Sequence, residues 1–238
     1  MKKTVGILGG MGPEATAYFF GLIIKNTVAG EDRDHIPAVI YNAPQIPDRT
    51  RAILYGGPSP VGALVQGIRI LKRSGADFIV IPCISAHYFH RRLSAEAGIP
   101  VINLLEETAA RIRKMKPPVK KIGLMATTGT VASGIFHKAI GKAGIEVLVP
   151  FPRDQDRMMQ AVYGPQGIKA GFTRGNSRRT ILRLARELVD RGADAVIAGC
   201  TEIPLVLKDS DLPVPFIDPM LIAARTCIKM AGGLTTGR

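Results

Sequence analysis

The chain has 238 residues, enough for one large domain or two small ones with a true core, and 46% of it is hydrophobic, which excludes a disordered chain. Its formal net charge of +13 suggests nucleic-acid binding, but aromatic residues make up only 5%, with no tryptophan, so stacking platforms are scarce. Basic residues such as Arg179, Arg183 and Arg186 recur at helical spacing, the pattern of a solvated face, and no nucleic-acid partner is expected.

In chain order, Met1-Lys2-Lys3 before an apolar run resembles a signal peptide only briefly. Gly9, Gly10, Gly12, Pro13 and Glu14 interrupt it, so it reads as a buried strand and a turn. Val5-Gly6-Ile7-Leu8 leads into Gly9-Gly10-Met11-Gly12, and a helix over 15–28 follows Pro13. A second helix over 61–73 stops at Ser74-Gly75, and the apolar run from Gly75 ends at Cys83. The helical pattern over 102–116 ends before Pro117-Pro118, and Ile122-Gly123-Leu124-Met125 leads into Ala126-Thr127-Thr128-Gly129. A helix over 177–191 stops at Gly192, the run from Gly192 ends at Cys200, and a last helix covers about 219–231. No stretch of about 18 uncharged apolar residues occurs, so no membrane span is expected.

Parts of this series repeat. Gly6 and Gly123, Gly75 and Gly192, and Cys83 and Cys200 all stand 117 residues apart. Pro100-Val101-Ile102-Asn103 is echoed by Pro215-Phe216-Ile217-Asp218 at an offset of 115. Buried strands alternating with helices imply parallel sheets with right-handed crossovers. The expected fold is therefore α/β, two pseudo-symmetric lobes with parallel sheets and an active site in the cleft between them. Residues 1–116 form the first lobe and 117–218 the second, with a hinge at Lys116–Lys120. The C-terminal helix, about 219–238, packs back onto the first lobe.

Three cysteines, odd in number and widely spaced, do not describe a disulfide framework and suit a reducing, cytoplasmic setting. Cys227 lies in an apolar helical pattern and reads as inert packing. Cys83 and Cys200 each end an apolar strand, where ligands collect in parallel sheets. A thiol there also feels the N-terminus of the next helix, which lowers its pKa. If two similar lobes face each other, the two thiols approach a ligand from opposite sides. Racemisation needs that arrangement, since one thiolate removes the α-proton and the other thiol returns a proton to the opposite face.

Several motifs carry a wider likeness. Gly9-Gly10-Met11-Gly12-Pro13-Glu14-Ala15-Thr16, Gln45-Ile46-Pro47-Asp48-Arg49-Thr50, Pro82-Cys83 with Ala86-His87, Ala126-Thr127-Thr128-Gly129-Thr130, Gly167-Ile168-Lys169-Ala170-Gly171 and Gly199-Cys200-Thr201-Glu202 occur in order over nearly the whole chain. Together they resemble the aspartate/glutamate racemases, with microbial aspartate racemases the nearest branch. The resemblance implies a pyridoxal-phosphate-independent enzyme with no cofactor, a catalytic pair Cys83 and Cys200, and commonly a homodimer. It also implies that Arg49 and Lys169 hold the carboxylates of an acidic amino acid such as aspartate. That suits a dicarboxylate, which an arginine can grip bidentately; the plainer reading of both is surface charge. The backbone of Gly10, Met11 and Gly12 is placed to cradle the α-carboxylate as a nest, with Ser85, Thr127 and Thr201 supplying hydroxyls. One departure stands out: the family usually has Cys-Asn-Thr at the first cysteine, and this chain has Cys83-Ile84-Ser85. Ser85 keeps the hydroxyl, but Ile84 loses every donor and acceptor of the amide.

Other readings stay open. Gly10-Met11-Gly12-Pro13-Glu14-Ala15 fits a dinucleotide fingerprint with Glu31 or Asp32 about twenty residues on, but that leaves the paired cysteines unexplained. Cys83, His87 and His90 have helical spacing without a complementary ligand cluster, so no metal is expected. His87 tunes Cys83 and Glu202 tunes Cys200, or they are a helix-face histidine and a capping glutamate. Same-fold decarboxylases, maleate isomerases and hydantoin racemases are further enzyme readings, and an amino-acid-binding relative without catalysis is the alternative of a different class.

Overall fold

The apolar runs form strands, and the helical patterns form the crossovers between them. The structure, a computed structural model, describes residues 2–141 and 144–237. Its first part runs β1 (Val5–Gly9), α1 (Pro13–Asn26), β2 (Ala38–Asn42), α2 (Arg49–Leu54), α3 (Val61–Arg73), β3 (Phe78–Val80), a 3-10 turn at Ser85–Phe89, α4 (His90–Ala97) and α5 (Leu104–Arg113). It continues with β4 (Lys121–Met125), α6 (Thr128–Ala132), α7 (Ile135–Gly141), β5 (Glu146–Leu148), α8 (Pro152–Tyr163), a 3-10 turn at Ile168–Ala170, α9 (Asn176–Asp190), β6 (Ala195–Ala198), α10 (Ile203–Val206), β7 (Phe216–Ile217) and α11 (Pro219–Met230). This is an α/β fold with two parallel sheets.

Two compact units carry one sheet each: Met1–Glu107 with Met220–Arg238, and Thr108–Pro219. In the first, the order is β2-β1-β3, and Val101 adds a parallel bridge to Ile79. The return of α11 to this unit is secured by Lys3 N–H donating to Ala231 O at 3.0 Å and Thr226 Oγ1 donating to Glu107 Oε2 at 2.7 Å. In the second, the order is β5-β4-β6-β7. Both central strands are fully buried apart from Lys121 at the start of β4.

The 117-residue repeat has physical content. In the first unit, Asp77 N–H donates to Thr4 O at 2.9 Å and Thr4 N–H donates back to the Asp77 carboxylate at 2.7 Å. In the second, Asp194 N–H donates to Lys121 O at 2.9 Å, and Lys121 N–H donates to Asp194 Oδ2 at 2.8 Å. Gly75 (φ 89°) and Gly192 (φ 91°) turn left-handed to leave the preceding helix, a conformation glycine adopts without steric cost. A side chain on Gly6 would meet Leu71 and Ala76; one on Gly123 would meet Leu188 and Ala193, each partner again 117 residues on. Each crossover helix thus lies directly on its central strand, clamped at the strand's start by an aspartate.

Several elements differ from the sequence reading. The first helix starts at Pro13, where the missing proline N–H costs nothing, and stops at Asn26 because Thr27 Oγ1 turns back to Ile23 O at 2.7 Å. The helix expected over 102–116 stops at Arg113. Lys114 N–H and Met115 N–H bond three residues back, to Arg111 O (3.1 Å) and Ile112 O (3.0 Å), which tightens the last turn before the prolines. The edge strand β2 went unforeseen because none of its residues is fully buried, so it lacks the continuous apolar run that marks β1.

Candidate active site

In the first unit the site residues gather at the carboxyl ends of β1 and β3. Gly10 is left-handed (φ 95°), and a side chain there would strike the Ala43 backbone, so this loop requires glycine. Gly10 N–H donates to Thr16 Oγ1 at 3.0 Å, and Thr16 Oγ1 donates to Gly12 O at 2.9 Å. Gly10 therefore contributes shape and spends its amide within the loop, contrary to its expected part in the nest. Arg49 opens α2 and is 7% exposed, so it is not idle surface charge. Its guanidinium donates to Pro47 O at 3.1 Å and Ile46 O at 3.3 Å, and reaches Met11 O at 3.5 Å. The cation is thereby fixed beside the glycine loop.

Cys83 is 3% exposed, and its Sγ lies 3.5 Å from Ser85 Oγ. His87 follows one turn later, fully inside. Its Nδ1 lies 2.9 Å from Cys83 O and its Nε2 3.4 Å from Ile102 O. Both partners accept, and a neutral imidazole has one N–H, so the shorter contact marks Nδ1 as the donor. Burial holds the imidazole neutral, with its pKa pushed down to about 4. His87 thus braces the Cys83 backbone and does not touch its sulfur. Ile84 is 2% exposed.

In the second unit the corresponding strand end is built differently. Cys200, 6% exposed, donates its Sγ–H to Glu202 Oε2 at 2.9 Å, and Thr201 Oγ1 donates to the same oxygen at 3.3 Å. Lys169, from the 3-10 turn after α8, binds Glu202 Oε1 through Nζ at 2.5 Å. Lys169 also lies over the Tyr163 ring, 5.4 Å from its centroid. Glu202 makes no cap bond to α10, so the capping reading fails. The Cys200 pKa is raised well above its ordinary value, first by burial and then by the Glu202 charge, with Lys169 opposing. This corrects the expected lowering by a helix N-terminus: α10 is a single turn, too short to outweigh desolvation. Cys227 is fully buried in α11 and its thiol is likewise pushed up by burial, which fits inert packing.

Thr127 is 4% exposed at the end of β4, with its Oγ1 3.2 Å from Thr130 Oγ1. Gln155 of α8, which the sequence reading missed, donates from Nε2 to Ala126 O at 2.9 Å and pins this loop. An isolated glutamine in a helical pattern carries no mark of such a role. Glu202 did carry a signal, as the acid next to a Cys-Thr pair, but spacing does not tell which way its side chain turns.

A protein-family model described as "Asp/Glu/Hydantoin racemase" matches residues 8–227. The chain belongs to this family, and it is an amino-acid racemase, an isomerase. It is 28% identical over 232 residues to the broad specificity amino-acid racemase RacX of Bacillus subtilis, spanning 94% of this chain and 96% of RacX. Among solved structures it is similar to the Picrophilus torridus aspartate racemase, with 32% identity, TM-score 0.88 and coverage of 98% and 96% of the two chains. A putative Asp/Glu racemase from Yersinia pestis has 26% identity, TM-score 0.78 and coverage of 96% and 99%. Among the described residues no helix is long and apolar enough to cross a membrane.

Proposed function

We propose that the protein interconverts the enantiomers of an acidic amino acid, aspartate foremost, with Cys83 and Cys200 as the two acid/base groups acting on opposite faces of the α-carbon. The observation that carries this reading is the pair itself: two buried thiols at the carboxyl ends of β3 and β6, on strands related by one internal repeat. A buried guanidinium at Arg49 beside the glycine loop, and the Lys169 ammonium near Cys200, supply the cations an acidic substrate calls for. Met11, Gly12, Ser85, Thr127 and Thr201 complete the proposed binding set. The same reading carries a homodimer, checked by sedimentation, and a cytoplasmic setting.

A second reading is favoured by Ile84, a buried apolar group where the family usually has an amide, together with the similarity to RacX. It makes neutral amino acids the better substrates. One experiment decides between them. Reduced protein in D2O is given each enantiomer of a panel of amino acids, and α-deuteration is followed by NMR. Aspartate should exchange, and Cys83→Ala and Cys200→Ala should each abolish racemisation. No exchange with acidic amino acids but exchange with neutral ones establishes the second reading, and wild-type turnover in either mutant refutes the two-thiol scheme.

A further inference from the structure

One buried carboxylate in the second unit is shared by a thiol, a hydroxyl and an ammonium. Glu202, 3% exposed, accepts from Cys200 and Thr201 through Oε2 and pairs with Lys169 through Oε1. The carboxylate is thus held by a cation and two further donors, the satisfaction a buried polar group requires. The charged groups acting on the Cys200 thiol are Glu202, beside it in sequence, and Lys169, from the turn after α8.

We propose that Glu202 is the positioning residue of Cys200: it accepts the Sγ–H through Oε2 and holds the Lys169 ammonium through Oε1, and so orients the thiol for its part at the α-carbon and keeps the opposing cation beside it. The inference rests on the racemase reading and adds the residue that orients one of its two acid/base groups. Glu202 opposes loss of the thiol proton and Lys169 favours it, so the two side chains act on the sulfur with opposite sign.

The test follows Cys200 ionisation in the full-length protein without substrate, by the pH dependence of its alkylation by iodoacetamide, read residue by residue by mass spectrometry. Ultraviolet thiolate absorbance, taken as the difference from a Cys200→Ala counterpart, gives a second reading independent of reagent access. Glu202→Gln removes the opposing charge and leaves the ammonium, so the midpoint should fall by about one pH unit or more. Lys169→Met removes the ammonium, so the midpoint should rise. Opposite shifts are the signature, because mere loosening of the fold moves both variants the same way, down towards an ordinary thiol. Two falling midpoints, or two unmoved ones, overturn the proposal. In activity, Glu202→Gln should lose about 100-fold in kcat, and Glu202→Asp should recover part of it. Opposite shifts without α-deuteration of any amino acid uphold the three-group coupling and remove the racemase reading. Racemisation with unmoved midpoints does the reverse.

Discussion

Replacing Ile84 with asparagine separates two jobs that this position could do. Ile84 is 2% exposed, and its carbonyl accepts from His87 N–H at 2.9 Å, a backbone bond that the substitution leaves in place. The cost therefore lies in the side chain. Removing a fully buried isoleucine forfeits about 2–3 kcal/mol, and an enclosed amide short of partners adds about 1–3 kcal/mol. For a chain of this length each kcal/mol lowers Tm by about 2–4 °C, so a fall of roughly 10–20 °C is expected. Ile84→Val, as a control, should cost about 1 kcal/mol. The assay is scanning calorimetry alongside α-deuteration of aspartate and of neutral amino acids, per folded molecule. The expected result is a large loss of stability with no change in the preference between them. An asparagine variant as stable as the parent, with aspartate exchange raised tenfold over neutral amino acids, would refute the packing argument and place the side chain against substrate.

The repeat supplies a paired stability test. A Cβ on Gly6 would sit 2.8 Å from Ala76 Cβ, whereas one on Gly123 would sit 3.0 Å from Leu188 Cβ and 3.5 Å from Ala193 Cβ. Gly6→Ala should cost about 2–3 kcal/mol and Gly123→Ala about 1 kcal/mol by chemical denaturation, with Ala76→Gly partly rescuing the first. His87 gives a pH dependence. Its folded pKa of about 4 lies below the ordinary 6.5, so its contribution is fully present above pH 6.5 and is lost as pH falls towards 4, by about 3 kcal/mol. Unfolding free energy measured across that range should fall for the parent protein and fall less for His87→Gln.

Legibility in the sequence followed physical visibility. Strands buried on both faces write continuous apolar runs, so β1 and β6 were readable, and α3 was found at its observed bounds because Gly75 forces a stop. The duplication was visible because each central glycine is required by the leucine and alanine that press on it. The half-exposed β2 leaves no such trace, and the two-residue β7 shows only in the Pro215–Asp218 echo. At the candidate site the residue types were legible and their partners were not. Lys169 was read as a cation for substrate, yet in the structure it binds a glutamate 33 residues away, a pairing that spacing does not encode. The sign of the Cys200 shift was missed because strand-end position says nothing about the depth of burial or the acid beside the thiol.

The discontinuous first unit bears on how the protein is made. Residues 108–219 form one uninterrupted unit, whereas the first unit takes in both the opening segment and residues 220–237. On the ribosome the middle of the polypeptide therefore has all its partners before the beginning does, reversing the usual N-terminal-first order of assembly. Until α11 emerges, Lys3 has no Ala231 carbonyl to bond and Glu107 has no Thr226 hydroxyl, so the first unit is closed after the second.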